Sequence, residues 1–165
     1  MKKSIKLARR SLIKTAYHEA AHAVVGYLVG AEVRTIAIHN PTLEDGSKGT
    51  CVYGFGPAES ELELIATLAG PVAEAMRLKR SLGFWSLCRS SDGDYADFCR
   101  LFKSIHKLTD EDYLSPGWEG PIVKYISYMS ARIKVQYLDP NWPLLNNWPK
   151  YYWSTGTWTL STSDA

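Results

Sequence analysis

The sequence predicts a mainly helical α+β fold with a small β-sheet. Apolar residues recur at helical spacing over several stretches of ten or more residues. Two short β-prone runs, one rich in Ile and Val and the other in Tyr and Val, flank an Asp-Gly turn. Glycine, proline and capping residues fall between these periodic stretches rather than at random.

The elements follow in order. A first helix is predicted over residues 6–29, ended by Gly30. Residues 31–39 read as a strand with Ile36 and Ile38 on one face. Residues 42–48, which contain Asp45-Gly46, read as a turn, and 49–55 as a second strand at a sheet edge. Ser60 and Glu63 form a capping-box pattern that opens a second helix over 61–78. Gly70-Pro71 is expected to kink or split that helix, because proline removes a donor and crowds the preceding turn. Its small residues Ala66, Ala69, Gly70 and Ala73 suit close packing against the first helix. A loop at 83–91 precedes a third helix at 92–107. Residues 116–121 read as irregular and 122–137 as a fourth helix. The segment 139–165 carries Trp142, Trp148, Trp153 and Trp158 among Pro140, Pro143 and Pro149, and is expected to break into short turns that cover the core.

At 165 residues the chain is expected to form one domain, residues 1–165. A chain of that size buries roughly two-thirds of its unfolded surface and needs no disulfide to fold. The net charge of +2 gives no strong pull toward nucleic acid or membrane, and no nucleic-acid partner is expected. The one basic run, residues 1–14, reads as a solvated helix end, with a surface for nucleic acid or anionic lipid as the alternative. It resembles the start of a signal peptide, but the apolar stretch 15–31 that follows contains His18, Glu19 and His22 and is too short to span a bilayer. No membrane anchor is therefore expected. Cys51, Cys88 and Cys99 have no metal-ligand or redox spacing, and their odd number favours a reducing compartment, the cytoplasm.

The chemistry concentrates in His18-Glu19-Ala20-Ala21-His22, an HExxH pattern. On a helix, positions four apart lie one turn apart on the same face, so two imidazoles at this spacing can hold one zinc ion. Glu19 is offset by one residue and reaches the open side of the metal, where it can act as general base. Val25 and Val29 continue the stripe of the two histidines, which places that stripe toward the interior. A pair of hydrogen-bonded structural histidines is the bland alternative. A catalytic zinc site needs a third protein ligand and an open position. Asp94 falls within the apolar face that Phe98, Leu101, Phe102, Ile105 and Leu108 define on the third helix, where a carboxylate is costly unless paired or metal-bound. Asp97 lies at the margin of that face, and Asp92 and His106 lie off it. Asp94 also suits a helix cap. Glu74 is the rival third ligand, and otherwise a group that hydrogen-bonds a ligand histidine or pairs at the surface. His39 reads as the end of a strand, without metal duty.

His18-Glu19-Ala20-Ala21-His22-Ala23-Val24-Val25-Gly26 resembles the zinc-binding helix of FtsH-type ATP-dependent zinc proteases. Leu68-Ala69-Gly70-Pro71-Val72-Ala73-Glu74 is similar to a second segment of that family, and Ser91-Asp92-Gly93-Asp94-Tyr95 to a third. The resemblance implies a zincin-like peptidase domain with Asp94 as third zinc ligand, acting on peptides or unfolded protein. It leaves room for a separate ATPase partner and for a homo-oligomer. The family's ATPase motif and membrane anchor are absent, Ala21 replaces a motif glycine, and Pro71 replaces an arginine. The competing functional expectation is a non-catalytic metal-binding or interaction module derived from such a peptidase; a structural site would have no need of Glu19.

Overall fold

A computed structural model describes residues 2–39, 48–56, 60–80, 92–111, 117 and 119–152. Helix α1, Lys2–Leu28, begins four residues before the predicted start and closes where expected. The Ala31 N–H donates to the Gly26 carbonyl at 2.8 Å and the Gly30 N–H to Tyr27 at 3.0 Å, with Gly30 at φ 90°. This is a Schellman ending, in which glycine enters the left-handed region without a Cβ penalty.

Strands β1, Glu32–Ile38, and β2, Gly49–Gly54, pair antiparallel and form a two-stranded sheet among the described residues. Val33 faces Tyr53, Ile36 faces Cys51 and Ile38 faces Gly49. An irregularity between Val33 and Thr35 lets Val33 and Ile36 both bury against Ala23 of α1, despite their three-residue spacing. The sheet thereby lies along α1 and carries Gly49 to its HExxH turn.

Helix α2, Glu61–Arg77, is the hub. Ser60 caps it by accepting from the Glu63 N–H at 3.3 Å, as the capping-box pattern predicts. Every residue from Leu64 to Glu74 is buried. Of the two expected outcomes at Gly70-Pro71, a kink or a split, the helix is not split: it runs unbroken from Glu61 to Arg77. Proline in a helix interior costs about 3 kcal/mol, but burial of Leu64, Ile65, Leu68 and Val72 opposes it at about 1.5–3 kcal/mol for each large side chain. The packed surroundings hold the backbone helical.

Helix α3, Asp92–His106, packs Phe98, Leu101 and Phe102 onto α2, the face read from periodicity. Helix α4, Glu119–Ile133, starts before the predicted position and adds Ile122, Ile126, Met129 and Ile133 to the same core. It passes through one π-helical segment, Lys134–Leu138, into α5, Asp139–Tyr152. The expectation of short turns is thus corrected for residues 139–152. The widened π turn immediately precedes Pro140 and Pro143, where extra room relieves crowding of the preceding carbonyls. Leu138 and Leu145 are fully buried, Trp142 packs on Tyr17 with ring centroids 5.6 Å apart, and the Tyr17 hydroxyl donates to Asn146 at 2.7 Å. These contacts fasten α5 against α1. Trp142 does cover the core. The expected turn at 42–48, apart from Lys48, the loop at 83–91, residues 112–116 and 118, and residues 153–165 lie outside the described residues. No helix among the described residues is long and apolar enough to cross a membrane.

Candidate metal centre

Helix α1 sets His18 and His22 one turn apart, and α2 backs them. The His22 Nδ1 lies 2.8 Å from the Ala66 carbonyl of α2. A carbonyl can only accept, so the proton sits on Nδ1 and the His22 Nε2 presents a lone pair. The Tyr53 ring stacks on His22, with centroids 6.1 Å apart, and its hydroxyl lies 3.2 Å from Thr67 Oγ1. The ring of His22 is therefore fixed on two sides.

That lone pair points into a cluster of further electron donors. The two Nε2 atoms lie 3.1 Å apart. Asp94, carried in by α3, places Oδ2 2.9 Å from the His18 Nε2 and Oδ1 3.3 Å from the His22 Nε2. One ligand atom from each of His18, His22 and Asp94 falls within 4.8 Å of the others, so these residues could hold one metal ion. Two ligands at tetrahedral zinc stand about 3.3–3.4 Å apart, close to the separations found. Asp94 Oδ2 is buried and, despite its proximity to His18, has no hydrogen-bond partner; neither does the His18 Nδ1. Such orphans cost free energy unless a cation or proton satisfies them.

Gly70 lets both imidazoles approach α2 closely. A Cβ on Gly70 would sit 2.3 Å from the His22 Nε2 and 2.8 Å from the His18 Nε2. The separations of the donor atoms fit a zinc-sized cation.

Glu19 stands beside this cluster and is buried. Its carboxylate lies against the start of β2: a Cβ on Gly49 would come 2.7 Å from Glu19 Oε1 and 2.7 Å from its Cγ. Burial raises the Glu19 pKa, opposed by His22 and His18. Glu74 occupies the opposite side of His18, with Oε2 3.7 Å from Nδ1 and Oε1 2.8 Å from the Lys14 ammonium. It does not reach the Nε2 atoms where Asp94 lies. Burial alone would lower the His18 pKa, but Asp94 and Glu74 outweigh it and push it up to about 10. Burial likewise works against ionised Asp94 and Glu74; His22 and His18 overcome it at Asp94, and His18 and Lys14 at Glu74, so both pKa values are lowered. A proton on His18 thus supplies positive charge to these two carboxylates.

The other candidates lie apart from the cluster. His39 follows β1, with its Nε2 2.9 Å from Thr50 Oγ1. Asp97 is exposed, 3.6 Å from Arg100, and His106 packs on Phe102 and Tyr125. The Asp92 side chain lies outside the described residues. Sequence reasoning missed four contributors: the close approach of the histidines to Gly70, the Ala66 carbonyl, the Gly49 contact and Lys14. A glycine in the middle of a buried helix was a signal, because it weakens the helix unless space is needed. A backbone carbonyl leaves no signal of that kind. The chain matches no protein-family model and no curated protein.

Proposed function

We propose that the chain is a zincin-like metallopeptidase domain that hydrolyses peptide bonds, with zinc held by His18, His22 and Asp94 and with Glu19 as general base. The observation that carries this reading is the clustering of one ligand atom from each of His18, His22 and Asp94 within 4.8 Å of one another, with Glu19 buried alongside. When bound, zinc supplies Lewis acidity to the scissile carbonyl and acidifies the attacking water. Glu19 takes the proton of that water and returns it to the leaving amine. Burial raises its pKa, the direction that favours taking up the water's proton. Gly49 lets the carboxylate lie flat against β2, which limits its rotamers. Ala66, through its carbonyl, and Tyr53, through its ring, hold His22 in the orientation that offers Nε2.

The resemblance of the α1 motif to FtsH-type proteases supports the same reading and suggests an unfolded polypeptide as substrate. A separate ATPase that feeds such a substrate, and a homo-oligomeric assembly, belong to the proposal. So does the cytoplasm as compartment, in keeping with the odd number of cysteines.

The experiment is digestion of an unfolded-protein substrate by zinc-loaded wild type and by Glu19→Gln. The variant keeps shape and metal but loses the base, so hydrolysis falls by about 10²-fold or more. Equal hydrolysis by both proteins would refute the assignment of Glu19.

A further inference from the structure

The two histidines of the proposed centre are braced from behind by different kinds of partner. His22 gives its Nδ1–H to a backbone carbonyl of α2 at 2.8 Å, an atom fixed by the helix. The His18 Nδ1 is buried and has no hydrogen-bond partner. The acceptor facing it, Glu74 Oε2, lies 3.7 Å away, beyond hydrogen-bonding distance. The Glu74 carboxylate is instead bonded through Oε1 to the Lys14 ammonium at 2.8 Å. Lys14 sits on α1 one turn before His18. Its side chain is 41% exposed against 11% for Glu74, so the chain of contacts runs from solvent to the centre.

The geometry points to Lys14 as a positioning residue that holds Glu74 back from His18 and so weakens metal binding; this rests on the metal-centre reading. Had Lys14 served only to aim Glu74 at His18, the carboxylate would lie within bonding distance of Nδ1. It is drawn to the lysine instead. An imidazole whose second nitrogen donates to a carboxylate is fixed in orientation and binds metal more strongly through the first. Lys14 withholds that bond by holding the carboxylate, and so acts against the metal through Glu74. Once the ammonium is gone, Glu74 has lost its cation while still largely buried, and the Nδ1–H of His18 is the donor in front of it. A change that neutralises Lys14 therefore tightens the centre by way of Glu74. The half-exposed ammonium is accessible to such a change, which makes it a regulatory handle on metal occupancy.

The test is competition of the full chain with a chromophoric chelator for zinc, run on wild type, Lys14→Met, Lys14→Gln, Lys14→Arg, Glu74→Ala and the Lys14→Met/Glu74→Ala double variant. Lys14→Met and Lys14→Gln bind zinc about tenfold more tightly, the low end of what such outer partners contribute. Lys14→Arg keeps the wild-type affinity, and the double variant binds no more tightly than Glu74→Ala. In the zinc-loaded protein, the His18 Nδ1–H resonance moves downfield in Lys14→Met while that of His22 stays. Unchanged or weaker binding by Lys14→Met overturns the inference. So does tightening that persists without Glu74, which would make Lys14 a bare charge. A wild-type chain that takes up no zinc instead overturns the metal-centre reading itself.

Discussion

Gly70→Ala adds one methyl group where both imidazoles approach α2 closely. Its Cβ would stand 2.3 Å from the His22 Nε2, 2.7 Å from the His22 Cε1 and 2.8 Å from the His18 Nε2. Carbon and nitrogen in contact sit about 3.5 Å apart, so the imidazoles must retreat by about 1 Å. His22 has little room, because Ala66 and Tyr53 hold its ring. Ligand distances at a metal tolerate only about 0.2 Å, so zinc affinity falls by at least about 100-fold, the upper end of what loss of an outer partner alone costs. The fold survives. Overpacking costs about 1–3 kcal/mol, while alanine gains about 1 kcal/mol over glycine in a helix. Chelator competition reads the affinity and thermal melting reads the stability. Gly26→Ala is the control, since its Cβ would meet only Ala31, Ala66 and Tyr53 at 3.6–3.9 Å, ordinary contact distances. A folded Gly70→Ala protein that binds zinc as wild type does would refute the idea that the metal site depends on the close approach of both imidazoles to Gly70.

Three further outcomes are expected. Asp94→Ala strips zinc, whereas Asp97→Ala, whose side chain is exposed beside Arg100, leaves it bound; elemental analysis distinguishes them, and the reverse pattern would exclude Asp94 as a ligand. Ser60→Ala removes the α2 cap and lowers unfolding stability by about 1 kcal/mol in a denaturant melt. Burial pushes the Cys51 thiol up to about 12, so at pH 8 the folded protein keeps it protonated and iodoacetamide labels it at least about tenfold more slowly than in the unfolded chain. Peptide-resolved mass spectrometry follows that residue, and equal rates would contradict the assigned burial.

Much of the helical framework and the pairing of His18 with His22 were legible, because spacing along a helix fixes which side chains share a face. Asp94 was legible for the same reason: it lies on the α3 face that carries Phe98, Leu101 and Phe102 to the core. The choice between Asp94 and Glu74 was not legible. Both lie beside His18, and only their placement separates them, with Asp94 at Nε2 and Glu74 at Nδ1. Helix α2 presents Gly70, one turn before Glu74, at the Nε2 side instead. Lys14 read as part of a solvated basic run, because nothing in one helix reveals an acid brought alongside by another. The prolines at 140 and 143 misled for a related reason, and Pro71 does not split α2 for the same one. Their local penalty is real, but tertiary packing of Leu68, Val72, Leu138 and Leu145 outweighs it.

The assignment of His18, His22 and Asp94 to a single zinc centre meets its sharpest test in X-ray absorption at the zinc edge, recorded on the zinc-loaded full chain beside His22→Ala. Wild type should give a shell of nitrogen and oxygen at about 2.0–2.1 Å, with the outer scattering of two imidazoles and no sulfur at about 2.3 Å. His22→Ala should lose one imidazole contribution or the metal altogether. A sulfur shell in wild type, or the same spectrum at full occupancy from His22→Ala, would contradict the assignment.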